Sequence, residues 1–216
     1  MPDPQTLIAM MILALTGSGL CMTLPRPRHV LNAIVAVSAV EVAMAIRLWV
    51  AVLGQGFVTA ADDWFYVDAF SAFHIVVLTL VFALSSAFAA IYFAGEAATG
   101  TFGYATARRF GGLWLGAEGA MLLVLMSHNL GVMWVGMEAT TLLTAFLISL
   151  HPTSLSLEAM WKYLIICSIG IAFAFMGTLL AAAAIQSDGG AGAEALFWTS
   201  LASGEARLGS GEMRPE

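Results

Sequence analysis

The sequence is poor in charge. Only 10% of its 216 residues are Asp, Glu, Lys or Arg and 60% are hydrophobic, whereas a soluble domain carries about 25% charged residues. These four residue types are absent from five stretches, which cover 5–25, 69–95, 119–137, 139–157 and 163–187. Each stretch has about the 20-residue length that a membrane-spanning helix needs. The scarcity of charge therefore excludes an ordinary soluble domain and predicts an all-α, polytopic helical membrane protein.

Cysteine is equally scarce. Cys21 and Cys167 both lie in apolar segments and lack the paired spacing of a metal site, so we expect two reduced, structural thiols. The sequence also lacks a dinucleotide fingerprint, a P-loop and a nucleophile triad, which predicts no catalytic site, cofactor or metal of its own. The N-terminus has no basic region, and Asp3 is acidic, so the first apolar segment is not a typical signal peptide. Nothing in the sequence indicates nucleic-acid binding.

The apolar segments predict about six transmembrane helices in one domain over 1–186. Their predicted bounds are 6–24, 29–53, 68–93, 112–126, 130–150 and 154–185. Pro25 and Pro27 end the first helix, because proline cannot continue a helix. A polar, Gly-rich tail is predicted over 187–216.

Basic residues predict the orientation in the membrane. Arg26 and Arg28 lie in the first loop, and Arg108 and Arg109 lie in the third, whereas the second loop carries acids and no base. Basic loops stay on the cytoplasmic side. We expect the protein to lie in the inner (plasma) membrane. Loops one, three and five are then predicted to be in the cytoplasm, and the N-terminus outside.

Glu138 is the first candidate functional residue. It lies nine residues after Asn129 and twelve before Leu150, or roughly 14 and 18 Å from these ends of its predicted helix. In a hydrocarbon core about 30 Å thick, this is near the middle. A charge there costs about 2.5–3.5 kcal/mol or more, so an intramembrane acid is by default a functional-site hypothesis.

Lys162 is the candidate electrostatic partner of Glu138. A Glu–Lys pair whose separation changes provides a means of coupling charge movement to proton uptake. The alternative is that Lys162 snorkels to the surface and pairs with Glu158, four residues earlier on the same helix.

Three other polar residues are weaker candidates. Glu118 is predicted near the start of the fourth helix, either as an interfacial acid or as a proton relay, and His128 belongs to a polar turn at one mouth of the Glu138 segment. Glu41 lies deeper in the second helix and has no partner that the sequence identifies. The proton-pathway prediction therefore comprises Glu138, Lys162, Glu118 and His128.

Two stretches carry a family resemblance. NLGVMWVGMEATTL, around Glu138, and EAMWKYLI, around Lys162, resemble the antiporter-like, proton-translocating subunits of complex I and of energy-converting [NiFe] hydrogenases. The resemblance is nearest to the large membrane subunit of hydrogenase-4 and formate hydrogenlyase. It covers most of 67–184 and implies that Glu138 exchanges partners with a lysine during proton transfer, with Lys162 near the channel.

The chain also departs from this family. Family members have about fourteen helices in two inverted repeats, whereas this chain has about six and lacks the later segment with the family's central lysine. The resemblance therefore concerns the N-terminal part of the family only.

Together these features predict a non-redox membrane subunit of an oxidoreductase complex, of the hydrogenase-4 or NADH-quinone oxidoreductase (complex I) kind. Its expected partners are other membrane and peripheral subunits of that complex and the lipid bilayer. The alternatives are a subunit of a multisubunit Na⁺/H⁺ antiporter and a truncated scaffold subunit that transports no ion.

Overall fold

Six long helices make up most of the described structure. The computed structural model describes residues 5–187 and 196–199, and at 98, 99 and 184–187 it describes the backbone alone. In chain order the elements are α1 (Gln5–Thr23), α2 (Pro27–Gln55), β1 (Phe57–Ala60), β2 (Phe65–Asp68), α3 (Ala69–Thr99), α4 (Tyr104–Met126), α5 (Leu130–Ile148) and α6 (Ser154–Ser187). All six helices are long and apolar enough to cross a membrane, so the predicted fold class is confirmed. Most of the predicted tail over 187–216 lies outside the described residues.

The connection between α3 and α4 is much shorter than the sequence suggested. The predicted helix ends at 93 and 112 were wrong: α3 continues to Thr99, and α4 begins at Tyr104. Gly100 ends α3 with a φ of 80°, in the left-handed region that favours glycine. Arg108 sits inside the first turns of α4 because its guanidinium donates to the carbonyl oxygens of Leu24 and Thr23 at the end of α1, over 2.8 and 3.1 Å.

A β-hairpin forms where a plain loop was expected after α2. The two strands pair antiparallel, with Phe57 opposite Asp68 and Ala60 opposite Phe65. The turn between them holds three consecutive residues in the left-handed region, Ala61, Asp62 and Asp63, with φ of 53°, 52° and 64°. Such conformations are uncommon for residues other than glycine, so this is a tightly wound turn.

The connections gather at two opposite ends of the helical bundle. At one end, isolated bridges join the hairpin to the α4–α5 turn, through Phe65 and Ser127, and that turn to the segment after α6, through Asn129 and Phe197. At the other end, Phe102 between α3 and α4 stacks on Phe93 with ring centroids 4.3 Å apart. This alternation is what six successive membrane spans require.

α4 occupies the centre of the bundle and α6 its outside. α4 packs against α1, α2 and α5, and its residues 115–120 are all buried; they include Gly116 and Gly119, which allow close approach of neighbouring helices. α6 packs against α5 and leaves large apolar side chains exposed, among them Ile166, Phe173 and Leu180. Its outer face is therefore suited to lipid or to other apolar helices.

Candidate functional site

A single stripe of α2 faces the core and carries an acid. Its buried positions recur at intervals of three or four residues, which is the period of one helix face; they are Val30, Leu31, Ile34, Ser38, Glu41, Ala45, Leu48 and Val52. Glu41 is fully buried within this stripe. The sequence could not show this, because the rest of the helix is also apolar and its polar residues give little contrast.

Glu118 lies at the middle of α4 and is fully buried. Its predicted position near the start of the helix was wrong, because α4 begins at Tyr104 and not at 112. The reading as an interfacial acid fails for the same reason. The mid-helix position brings Glu118 opposite the buried stripe of α2.

A chain of four hydrogen-bonding side chains ends at Glu118. Trp114 Nε1 donates to Ser86 Oγ over 2.9 Å, the hydroxyls of Ser86 and Ser38 lie 3.2 Å apart, and Ser38 Oγ donates to Glu118 Oε2 over 3.0 Å. Each serine has one proton to donate. Since Ser38 gives its proton to Glu118, Ser86 must donate to Ser38, and every donor in the chain points towards the carboxyl group.

Other oxygens of the two acids have no hydrogen-bond partner among the described residues. These are both carboxyl oxygens of Glu41 and Oε1 of Glu118. Glu41 lies three residues after Ser38 on the same buried stripe of α2, and Ser38 contacts Glu118, so the two acids are neighbours in the core. Buried polar groups without partners are rare and costly in proteins, so this cluster in the core is a candidate functional site.

Glu138 lies in the middle of α5 and is half-buried. Within the described part of the chain it makes neither a hydrogen bond nor an ion pair. Trp134 Nε1 and Thr140 Oγ1, one turn or less away, are also buried without partners. Thr140 also lines an open cavity of about 390 Å³, whose other lining residues are Leu78, Met121, Val124, Leu125, Met137, Thr141 and Ile171. Glu138 thus has two orphan polar atoms within about one turn of α5, one of them at the wall of an open cavity.

Lys162 is paired with another acid at the surface of α6. Its side chain is 69% exposed and forms an ion pair with Glu158, one turn earlier on α6. This is the surface pair that the sequence left open as the alternative. The structure therefore does not bring Lys162 and Glu138 together.

His128 anchors the connections at one end of the bundle. It is buried, and its Nδ1 lies 2.7 Å from the carbonyl oxygen of Asp63 while its Nε2 lies 2.8 Å from Thr199 Oγ1. A carbonyl only accepts, so Nδ1 carries a proton. The ring also stacks on Phe197 at 4.6 Å. These contacts hold the hairpin, the α4–α5 turn and the segment 196–199 together.

Sequence reasoning found Glu138, Lys162, Glu118 and His128 but missed the partners of Glu118. Ser38, Ser86 and Trp114 lie on three different helices, and only the packing of those helices brings them together. The available signal was weak: Ser38 and Glu41 are three residues apart and so share a helix face.

Comparison with known proteins gives a sequence relative and a similar fold. No family model matches the chain. A hydrogenase-4 component F homolog from Methylacidiphilum infernorum (isolate V4) is 33% identical over 148 residues, which are 68% of this chain and 31% of the relative. A chain of the membrane-bound sulfane sulfur reductase, an archaeal respiratory membrane complex, superposes with a TM-score of 0.62 over 85% of this chain and 37% of its own, at 18% identity.

These matches carry different weight. At 18% identity the solved structure shows the fold alone, whereas the sequence relative bears on the family. The chain spans about a third of the length of each protein that it matches. The resemblance to the hydrogenase-4 membrane subunit is thereby confirmed: the chain is related to hydrogenase-4 component F.

Proposed function

We propose that the chain contributes a proton pathway to a membrane complex of the hydrogenase-4 or NADH-quinone oxidoreductase kind. The observation that carries the proposal is the setting of Glu138, a half-buried acid in the middle of a membrane-spanning helix without a partner among the described residues. An acid at this depth is costly to keep charged, and it is suited to taking up and releasing protons.

Two features of α5 support this role. Trp134 Nε1 and Thr140 Oγ1 are buried polar atoms without partners, and groups of this kind commonly bind ordered water. Thr140 also lines an open cavity of about 390 Å³. Water bound at these orphan polar atoms would link Glu138 to neighbouring polar groups, which is how a proton passes between side chains that do not touch.

The test is proton transport by the assembled complex with Glu138→Gln. Glutamine keeps the size and hydrogen-bonding ability of the side chain but cannot release a proton. We expect a loss of transport of at least about tenfold, which corresponds to about 1.4 kcal/mol. The matched control is Glu158→Gln, since Glu158 is 59% exposed on α6, and it should transport at the normal rate. A normal rate in the Glu138 variant would contradict the proposal.

A scaffold that transports no ion is the second candidate, and the surface pair of Lys162 and Glu158 favours it. Glu138 then lacks the cation that the family resemblance implies. A third candidate, a subunit of a multisubunit Na⁺/H⁺ antiporter, shares these local features. Mass spectrometry of the complex purified in mild detergent separates the two transport candidates: hydrogenase or complex-I-type companions support the first proposal, and small antiporter subunits support the antiporter.

The orientation of the chain also belongs to the proposal. We place the hairpin and the α4–α5 turn outside the inner membrane and the loop between α3 and α4 in the cytoplasm. This orientation is supported by the basic residues at the end of the bundle that holds the α3–α4 loop, which include Arg26, Arg28, Arg108 and Arg109.

A further inference from the structure

The buried cluster of Glu41 and Glu118 is separate from Glu138 and has no assigned role. Both acids are fully buried, and they come from α2 and α4. Three of their four carboxyl oxygens lack a hydrogen-bond partner within the described residues. A fully buried side chain with both oxygens unsatisfied, as in Glu41, indicates that the site has a ligand that the protein side chains do not supply.

No cation of the surrounding helices compensates these acids in the described part of the chain. α1 carries no Asp, Glu, Lys, Arg or His at all. On α2, Arg47 is exposed, lies about 9 Å further along the helix, and shares no helix face with Glu41. At the far end of the same helix, Arg28 and His29 are exposed too.

The other two neighbouring helices lead to the same result. On α3, only His74 and Glu96 are titratable along the described inner face or near it, and they lie at least ten residues from Ser86, or about 15 Å along the helix. Tyr92, also on α3, is exposed. On α4, Arg108 is engaged by the end of α1, and Arg109 is exposed.

Two negative charges at this site would repel each other without a counter-charge. Their repulsion is strong in a medium of low dielectric constant, and like charges that share a site keep one of the two groups protonated. From the burial, the missing partners and the absence of a nearby cation, we propose that Glu41 and Glu118 together bind a proton and form a second proton site in the core.

The hydrogen bonds restrict where this proton lies. Oε2 of Glu118 accepts from Ser38 and is thereby stabilised as an acceptor. The proton is bound by one of the three remaining oxygens, Glu118 Oε1 or either oxygen of Glu41. Binding one proton from water leaves one negative charge on the pair, which the donor chain from Trp114 through Ser86 and Ser38 stabilises.

The proposal goes beyond transport, because a proton is bound here whether or not Glu138 conducts. The test is infrared spectroscopy of the full chain in lipid vesicles at pH 8, in H₂O and in D₂O. Ordinary Asp and Glu side chains have pKa values near 4 and are ionised at pH 8. We therefore expect a protonated-carboxyl C=O band of about one group per chain that shifts in D₂O.

Variants assign the band. Because Glu138 is also costly to keep charged, the band is assigned in the chain that carries Glu138→Gln. We expect this chain to keep the band, and the further double substitution Glu41→Gln with Glu118→Gln to remove it. Ser38→Ala in the same background should shift its frequency, since the hydrogen bond to Glu118 is removed, and this single-atom change keeps the test available if the double variant fails to fold. Absence of the band in the Glu138→Gln chain, or its persistence after the double substitution in a folded protein, would overturn the proposal.

The occupant is tested by exchanging salts. A band of equal intensity in sodium chloride and potassium chloride supports a bound proton. Loss of the band in sodium chloride alone would show that Na⁺ occupies the site and would overturn the proton assignment. Neither result depends on transport by Glu138→Gln, so failure of this inference and failure of the proposed function are distinguishable.

Discussion

Ser38 on α2 donates a hydrogen bond to Glu118 on α4 over 3.0 Å in the fully buried core. This bond joins two residues that are 80 positions apart in the chain. It is also the one hydrogen bond that the Glu118 side chain makes within the described residues. The stability of the bundle should therefore depend on a hydroxyl group for which the sequence gives only a weak signal.

Ser38→Ala is expected to destabilise the bundle. The substitution leaves Glu118 Oε2 and Ser86 without their partner, and a buried polar group left unsatisfied costs about 1–3 kcal/mol. The measurement is thermal unfolding of the full chain in detergent. Ser168→Ala is the control, because Ser168 is half-buried on α6 and makes no side-chain hydrogen bond in the described structure. Equal unfolding temperatures for the two variants would show that the bond contributes nothing.

Arg108→Met should loosen the junction between α1 and α4. The guanidinium of Arg108 satisfies two carbonyl oxygens at the end of α1, those of Leu24 and Thr23, and it offsets the negative end of the helix dipole. Hydrogen bonds from a charged group contribute about 1.5–3 kcal/mol each. Limited proteolysis between α1 and α2 should become faster. Arg109→Met is the control, since Arg109 is exposed; if it has the same effect, the loss of charge and not of these bonds is responsible.

The contrast between Arg108 and Glu138 shows what could be read from the sequence. The number of helices and the mid-membrane depth of Glu138 follow from the lengths of apolar runs, which are local properties. The start of α4 does not follow from such a run, because two consecutive arginines interrupt the apolar sequence and so favour a loop. Only the carbonyl groups at the end of α1, more than eighty positions earlier, make a helical Arg108 favourable.

The core site was hidden for a related reason. Because the start of α4 was predicted too late in the chain, Glu118 was expected near a helix end and not in the core. Glu41 had no evident partner because the groups around it come from α3 and α4. The sequence of a helix that is apolar on all sides does not reveal which face is buried. Only the packing of α2 against the other helices shows that Ser38 and Glu41 face the core.

Cysteine labelling of the two ends of the bundle tests the orientation. Gln55 at the end of α2 and Gly103 before α4 are both exposed, and they lie at opposite ends. In a chain with Cys21 and Cys167 replaced by alanine, a membrane-impermeant maleimide applied outside intact cells should label Gln55→Cys. It should label Gly103→Cys only after the membrane is permeabilised. The reverse pattern would place the hairpin in the cytoplasm and contradict the orientation proposed from the basic residues.

Gly136 lies on the buried side of α5, tightly against α4. A Cβ atom there would lie 2.8 Å from Val124 Cγ2 and 3.2 Å from the carbonyl oxygen of Ala120. Because the Ala120 carbonyl belongs to the rigid backbone of α4, α5 itself would have to move. We expect Gly136→Ala to cost about 1–3 kcal/mol in the free energy of unfolding, as overpacking of a filled core does.

Gly170 provides the matched control for this prediction. It is also a glycine within a long helix, but a Cβ atom there meets nothing within 4 Å, so Gly170→Ala should be neutral or stabilise the helix by up to about 1 kcal/mol. Denaturation of both variants in mixed micelles gives the comparison. If Gly136→Ala unfolds at the same denaturant concentration as Gly170→Ala, α4 and α5 do not pack as tightly as the structure indicates. Glu138, two residues further along α5, would then be less firmly positioned.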